Sequence, residues 1–121
     1  MIGQKMQDAL NEQIKHEIHS AYVYLSMAAY CEARNLSGFA NWMRIQHQEE
    51  TGHGLKFFDH LLDRDGRVTL QAIEQPPADF KSPLEMMQTA LGHERKVTGL
   101  INRLYDLAVQ EDDRPAQVLL D

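Results

Sequence analysis

Three stripes of apolar residues at helical spacing are each interrupted by polar residues of the kinds that bind metal ions. Glu17 interrupts the first stripe, Glu50 and His53 the second, and Glu94 the third. An unpaired buried carboxylate is strongly unfavourable. Carboxylate oxygens with one imidazole nitrogen suit iron(II), manganese(II) or zinc. The pattern therefore favours a metal site over a polar core satisfied by hydrogen bonds alone.

The spacing of Glu50 and His53 is informative in itself. Residues at i and i+3 share one face of a helix, and a Glu-x-x-His pair is a ligand arrangement of carboxylate-bridged dimetal sites in helical bundles. One such pair is weak evidence. Together with Glu17 and Glu94 on neighbouring helices and one long crossover, it is strong evidence for a metal site of this kind.

The elements that must position these residues are long helices, so the predicted fold class is all-α. Apolar residues at helical spacing predict a first helix over about residues 5–34 and a second over about 37–64. Asn35 and Leu36 form a short break, and Ser37 is predicted to be the N-cap of the second helix. The first two helices are therefore antiparallel.

The next segment, from Gly66 to Lys81, has no helical period, and Pro76-Pro77 disfavours a helix across its middle. Ser82 followed by proline predicts the N-cap of a third helix over about residues 83–112. A fourth helix is missing or only begun after Pro115, because seven residues make no stable independent helix.

The connections place the four candidate ligands at one level. Glu17 lies about 18 residues before the break at Asn35 and Glu50 about 14 after it, which at 1.5 Å per residue is within roughly one turn. The long connection can cover the ~40 Å length of the second helix, so the third helix can run parallel to the second. Glu94 then shares the level of Glu50.

Composition narrows the class of protein. A chain of 121 residues with 43% hydrophobic residues predicts one domain over residues 1–121, and a net charge of −6 disfavours nucleic-acid partners while attracting cations. The single cysteine, Cys31, excludes an intramolecular disulfide. No apolar run approaches the ~18–20 residues that a membrane span needs. We expect a cytoplasmic protein without a membrane partner.

The sequence resembles the non-haem ferritins, especially the bacterial ones, over nearly its whole length. The similar stretches run from Asn11 to Glu17, with Tyr24, then from Gln48 to His53, and at His93-Glu94. The resemblance implies a ferritin-like helical bundle with a long crossover. It also implies a ferroxidase, an oxidoreductase that oxidises Fe(II) to Fe(III) with dioxygen and stores the mineral inside a multi-subunit shell, so a homo-oligomer is expected.

The resemblance also implies roles for single residues. Glu17, Glu50 and His53 would bind the first iron, and Glu50 would bridge to a second iron that Glu94 helps to bind. A third, more peripheral iron would involve Glu49. The alternative is that Glu49 is an ordinary exposed residue of the helix without a metal role. Tyr24 would lie close to the centre, where it is otherwise a core aromatic residue. Thr51 stands where bacterioferritins have a haem-binding methionine, so no haem is expected.

The sequence departs from the family after the third helix. Ferritins continue into a fourth long helix with Gln or Glu ligands to the second iron, and then a short fifth helix. This chain ends at Asp121, so a C-terminally truncated domain is expected. The alternative function is therefore a metal-binding helical assembly protein with an incomplete site and little or no turnover.

The remaining histidines are interpreted more simply. We expect solvated helix faces for four of them: His16, His19, His47 and His93. His60, one heptad after His53, is read as a core histidine near a helix end, with a second-site role as the alternative. Gly52 and Gly54 flank His53 at a cost of about 1 kcal/mol each inside a helix, which suggests close backbone approach there.

Overall fold

The computed structural model describes residues 1–121 and contains four α-helices and no strands. Their bounds are α1, Gln4–Ala33; α2, Ser37–Asp63; α3, Pro83–Gln110; and α4, Arg114–Leu120. The all-α prediction is confirmed, and the three long helices end within two residues of the predicted bounds. Residues 67–80 form the predicted long connection without regular secondary structure.

The three long helices end in the same way. Asn35, Asp65 and Asp112 adopt left-handed backbone conformations, with φ of 58°, 56° and 49°. In each case the following residue donates its amide to a carbonyl five residues earlier, at 2.8 or 2.9 Å. This arrangement satisfies carbonyls that the end of a helix leaves without partners. The short asparagine and aspartate side chains tolerate that conformation better than most.

The helix starts agree less uniformly with the sequence prediction. Ser82 is the N-cap of α3 as predicted, and its hydroxyl accepts the Glu85 amide at 3.1 Å. The predicted N-cap role of Ser37 is wrong, because Leu36 occupies the N-cap position and no side chain caps α2. The left-handed Asn35 ends α1 so close to α2 that Ser37 already lies inside the helix.

Helix α1 is the centre of the fold, because its backbone lies close to both α2 and α3, whereas the backbones of α2 and α3 lie farther apart and only their side chains join the same core clusters. Residues later in α1 meet earlier residues of α3, so these two helices are antiparallel: Ser20 contacts His93, and Cys31 contacts Met86. Since α2 is also antiparallel to α1, α2 and α3 are parallel. A groove between α2 and α3 is left open.

Several apolar positions of the helical stripes are not buried. Phe39 in α2 is 48% exposed, and Leu84 and Leu91 in α3 are 67% and 53% exposed. The sequence pattern groups all three with the core. Their spacing is correct for a buried face, but no other helix of this structure covers it.

The long connection runs along α1, and hydrogen bonds hold it there. Asn11 donates to the Arg67 carbonyl and accepts the Thr69 amide, and Ser26 donates to the Pro77 carbonyl. The residues from Asn11 to Ser26 rise about 22 Å along the helix. The connection covers this distance between Thr69 and Pro77, close to the limit for an extended chain. It can therefore link the end of α2 to the start of a parallel α3.

Helix α4 is attached to the end of α2 by a partly buried ion pair. The Arg64 guanidinium nitrogen Nη1 lies 2.7 and 2.8 Å from the two carboxylate oxygens of Asp113. The Asp113 carboxylate also accepts the Ala116 amide at 3.0 Å and so caps α4. Ala116 is fully buried in the core cluster formed with Leu10, which holds this short helix against the bundle.

Candidate metal centre

Three of the predicted ligands converge where α1 and α2 face each other. Ligand atoms of Glu17, Glu50 and His53 all lie within 4.8 Å of one another. The Nδ1 atom of His53 is 3.7 Å from Glu17 Oε2 and 3.6 Å from Glu50 Oε2. The Glu-x-x-His spacing brings Glu50 and His53 onto one face of α2, and the antiparallel packing brings Glu17 opposite them.

The two glutamates differ from His53 in burial. Glu17 is 1% exposed and Glu50 is 5% exposed, whereas the His53 side chain is 56% exposed. The Nε2 atom of Gln13 donates to Glu17 Oε1 at 3.0 Å. The other oxygen of Glu17, Oε2, and Glu50 Oε2 are buried without a hydrogen-bond partner. Such buried oxygens are unfavourable unless a cation or a proton satisfies them.

The pKa of Glu50 reflects this environment. Burial, the contact with Glu17 and the negative charges of Glu17 and Glu94 raise the pKa of Glu50 to about 8, and His53 opposes the shift. Without a cation, Glu50 therefore retains a proton near neutral pH. A bound divalent cation would displace that proton and remove the repulsion between the two carboxylates.

The fourth predicted ligand, Glu94, reaches the same cleft from α3. A cleft of about 290 Å³ is lined by all four predicted ligands together with Lys56 and residues of α3 and α4. The hydroxyl of Tyr24, a fully buried residue of α1, donates to Glu94 Oε1. Burial and this contact raise the pKa of Tyr24 far above its usual value, so the phenol keeps its proton. Tyr24 thereby fixes one oxygen of Glu94 and leaves the other free.

Close packing of α1 and α2 beside the site depends on Gly54. A Cβ atom at this position would lie 2.8 Å from Ile18 Cδ1 and 3.6 Å from Glu17 Cβ. The approach expected from the sequence is therefore present at Gly54. At Gly52 a Cβ atom would meet nothing within 4 Å, so only one of the two glycines has a packing reason.

Comparison with known proteins gives the fold and the site a context. The profile of the Ferritin-like domain family matches residues 7–121. The chain belongs to the ferritin family. It is 41% identical over 120 residues to a bacterial non-heme ferritin of Bacteroides fragilis, covering 99% of this chain and 76% of that protein. A bacterial non-heme ferritin of Staphylococcus saprophyticus is 39% identical over 113 residues, covering 93% and 68%.

Solved ferritin structures have the same backbone arrangement. An open pore ferritin from the hyperthermophilic archaeon Archaeoglobus fulgidus superposes with a TM-score of 0.96 at 48% identity, covering 99% of this chain and 74% of that one. A closed form of the same ferritin, engineered by site-directed mutagenesis, gives the same TM-score and identity and covers 99% and 73%. The recognition of the family from sequence is confirmed.

Two predicted site features lie apart from the converging residues of this ferritin chain. Glu49 is exposed on α2 and is not among the three residues whose ligand atoms converge. Thr51 donates its hydroxyl to the His47 carbonyl one turn earlier in α2. A role for Glu49 at a third iron position stays a prediction.

The expectation that His47 and His93 lie on solvated faces is wrong. The Nδ1 atom of His47 lies 2.8 Å from the Ala21 carbonyl of α1. The Nε2 atom of His93 lies 2.7 Å from Ser20 Oγ of α1, and its ring meets Tyr24 edge-on at 6.3 Å. Both histidines are partly buried between helices. The stripe pattern does not reveal this because both side chains bridge to the edge of the neighbouring helix.

His60 is also partly buried, near the end of α2 as the sequence suggests. Its Nε2 atom is 3.4 Å from Arg64 Nη1, and burial together with the Arg64 charge lowers the pKa of His60. None of the four helices contains a stretch long and apolar enough to cross a membrane.

Proposed function

We propose that this ferritin chain is a ferroxidase that oxidises Fe(II) with dioxygen at a di-iron centre and stores the ferric product. The observation that carries the proposal is the pair of buried, unpartnered oxygens, Glu17 Oε2 and Glu50 Oε2, each within 3.7 Å of His53 Nδ1. Two carboxylates and one imidazole form a donor set that suits Fe(II). The known homologues are themselves named ferritins.

In this proposal the first Fe(II) binds to Glu17, Glu50 and His53. The second binds between Glu50 and Glu94, with Glu50 as the bridge. The free oxygen of Glu94 and the location of its side chain in the same cleft support this assignment. Carboxylates stabilise the additional positive charge of Fe(III), so this donor set favours loss of one electron from each iron to dioxygen.

Protons and hydrogen bonds prepare the site for iron. Because burial raises the pKa of Glu50 to about 8, Fe(II) binding at neutral pH releases the proton that Glu50 retains. The Gln13 side chain orients Glu17 through Oε1 and directs Oε2 towards the site. The Tyr24 hydroxyl orients Glu94 in the same way, through its hydrogen bond to Glu94 Oε1.

Storage of a mineral requires a multi-subunit assembly, and the surface of the chain supports a homo-oligomer. Exposed apolar side chains gather where α1, α2 and the long connection meet, with Leu55 and Leu70 52% and 71% exposed. They border an apolar pocket of about 310 Å³ that also contains Phe58 and Ile73. Large exposed apolar patches favour association with a partner. We propose that a second copy covers this face, and that the assembly works in the cytoplasm.

The proposal is tested by adding Fe(II) to the purified protein in air and following the absorbance of the ferric product. We expect oxidation well above the rate in buffer, and a loss of at least tenfold in Glu50→Ala, because the bridging ligand is gone. Asp59→Ala is the matched control, since Asp59 is an exposed acidic residue on the same helix outside the cleft. A rate equal to that of buffer, or equal rates in the two variants, contradicts the proposal.

A second candidate function is iron binding without turnover, in a helical assembly protein. It is favoured by the open cleft, where Glu50 and Glu94 are the ligands that this chain offers to the second iron. Anaerobic Fe(II) titration separates the two functions. Two irons bound per chain followed by oxidation in air supports the ferroxidase, whereas one bound iron that stays ferrous supports the binding protein.

A further inference from the structure

A cluster of histidines lies between α1 and α3, on a different side of α1 from α2. His19 of α1 and His93 of α3 face each other, with ring centroids 5.9 Å apart and ring planes inclined by 58°. His16 lies one turn before His19 on α1. All three are partly buried. None of them belongs to the converging group of Glu17, Glu50 and His53.

A contact with Ser20 orients the ring of His93. Ser20 Oγ lies 2.7 Å from His93 Nε2 and 2.8 Å from the His16 carbonyl, to which its hydroxyl can donate. No protein hydrogen bond involves the other ring nitrogen of His93, Nδ1, which is left for a ligand. Metal-binding histidines are likewise oriented by a protein group on the ring nitrogen that does not bind the metal.

We propose that His19 and His93 bind one divalent transition-metal ion of the zinc or copper(II) class between α1 and α3. Two imidazoles that share an ion at about 2.1 Å have ring centroids roughly 5–6.5 Å apart, and the observed separation of 5.9 Å fits this range. Imidazole nitrogens bind copper(II) and zinc more strongly than iron(II). Water molecules complete the coordination, because the pair lies near the surface.

Charged groups of both signs lie near the histidine cluster. Glu94 and Lys96 act on His93, while Glu12, Lys15 and Lys96 act on His16. The proposed site therefore relies on its two nitrogen ligands rather than on a surrounding negative charge.

The second metal site touches the hydrogen-bond network of the iron centre. The His93 ring packs edge-on against Tyr24, and the Tyr24 hydroxyl donates to Glu94. An ion on Nδ1 of His93 would hold this ring in place and so fix its contact with Tyr24. Binding at the histidine pair does not require Glu50, so it can be measured when the proposed iron centre has been removed.

The experiment measures zinc binding by calorimetry in a Glu50→Gln background, which removes the proposed iron centre. We expect one zinc site per chain, with an affinity that falls at least tenfold when His19→Gln is added. His60→Gln in the same background is the matched control, because His60 is also a partly buried histidine but lies on α2. His19 forms no hydrogen bond, so its replacement should leave the melting temperature of the metal-free protein unchanged.

Copper(II) electron paramagnetic resonance gives an independent readout of the ligands. The spectrum should show coupling to two imidazole nitrogens, reduced to one by His19→Gln or by His93→Gln. The proposal is overturned if zinc affinity is the same with and without His19, if His60→Gln causes an equal loss, or if the copper spectrum shows no nitrogen that depends on His19. These results leave the ferroxidase proposal untouched, since that is tested by Fe(II) oxidation.

Discussion

Replacement of Glu50 by glutamine should make the metal-free protein more stable at alkaline pH, and it should also remove the proposed iron centre. The pKa of Glu50 rises from 4.5 to about 8 because the side chain is buried beside Glu17 and Glu94. A carboxyl group with a raised pKa in the folded state contributes stability below pH 4.5, and this contribution is lost as the pH rises towards 8. Glutamine has no charge to bury, so Glu50→Gln does not lose this stability as the pH rises.

The expected magnitude follows from the size of the shift. At 1.36 kcal/mol per unit, the change from 4.5 to about 8 corresponds to roughly 5 kcal/mol as an upper bound. The cleft admits water beside His53, whose side chain is 56% exposed. Screening by this water reduces the value. We expect the wild type to lose about 2–3 kcal/mol relative to Glu50→Gln between pH 5 and pH 8.5.

The assay is urea unfolding followed by circular dichroism, with a chelator present and the protein concentration fixed. Comparing the two proteins at each pH cancels the titration of groups that they share. Asp59→Asn, at an exposed position on the same helix, should keep the pH dependence of the wild type. The reasoning is refuted if the wild type and Glu50→Gln lose stability in parallel, or if Asp59→Asn reproduces the effect of Glu50→Gln.

Three further predictions concern packing, the end of the bundle and pH. Gly52→Ala, with open space around its Cβ, should stabilise the protein by up to about 1 kcal/mol in urea unfolding. Gly54→Ala should gain less than Gly52→Ala, because its Cβ would meet the end of the Ile18 side chain, which must move; an equal gain in the two variants would contradict this. Asp113→Ala should lower the free energy of unfolding by about 3 kcal/mol in the same assay, since it removes a helix cap and leaves the Arg64 charge unpaired. A loss below about 0.5 kcal/mol, which is typical of surface substitutions, would contradict this prediction. Because burial lowers the pKa of His60, the contribution of this residue to stability should fall below about pH 6.5. The difference in free energy of unfolding between the wild type and His60→Gln should therefore shift in favour of His60→Gln below that pH, and an unchanged difference would contradict this.

The sequence predicted the helices and the convergence of the ligands because both depend on periodicity. Glu17, Glu50 and His53 could be placed at one level by counting residues from the break at Asn35, since the rise per residue of a helix is constant. The role of the site was then inferred from the resemblance to the ferritin family. Local chemistry also identified Ser82 as a helix cap.

Features that depend on the rotation of one helix against another could not be predicted. The hydrogen bonds between His93 and Ser20 and between Tyr24 and Glu94 require one particular rotation of α3 about its axis. Periodicity predicts that rotation only approximately. The pairing of Arg64 with Asp113 joins residues far apart in sequence, for which no motif exists. The exposure of His53 likewise depends on the open groove between α2 and α3, which the periodicity of a single helix does not reveal.

The central claim is that the carboxylates and histidine of this ferritin chain bind two irons with Glu50 as the bridge. Crystals soaked anaerobically in Fe(II) and measured at the iron absorption edge test it directly. The account predicts two anomalous peaks in the cleft, one contacting Glu17, Glu50 and His53 and the other contacting Glu50 and Glu94. Anomalous peaks confined to other sites, with no iron within bonding distance of Glu50, would contradict it.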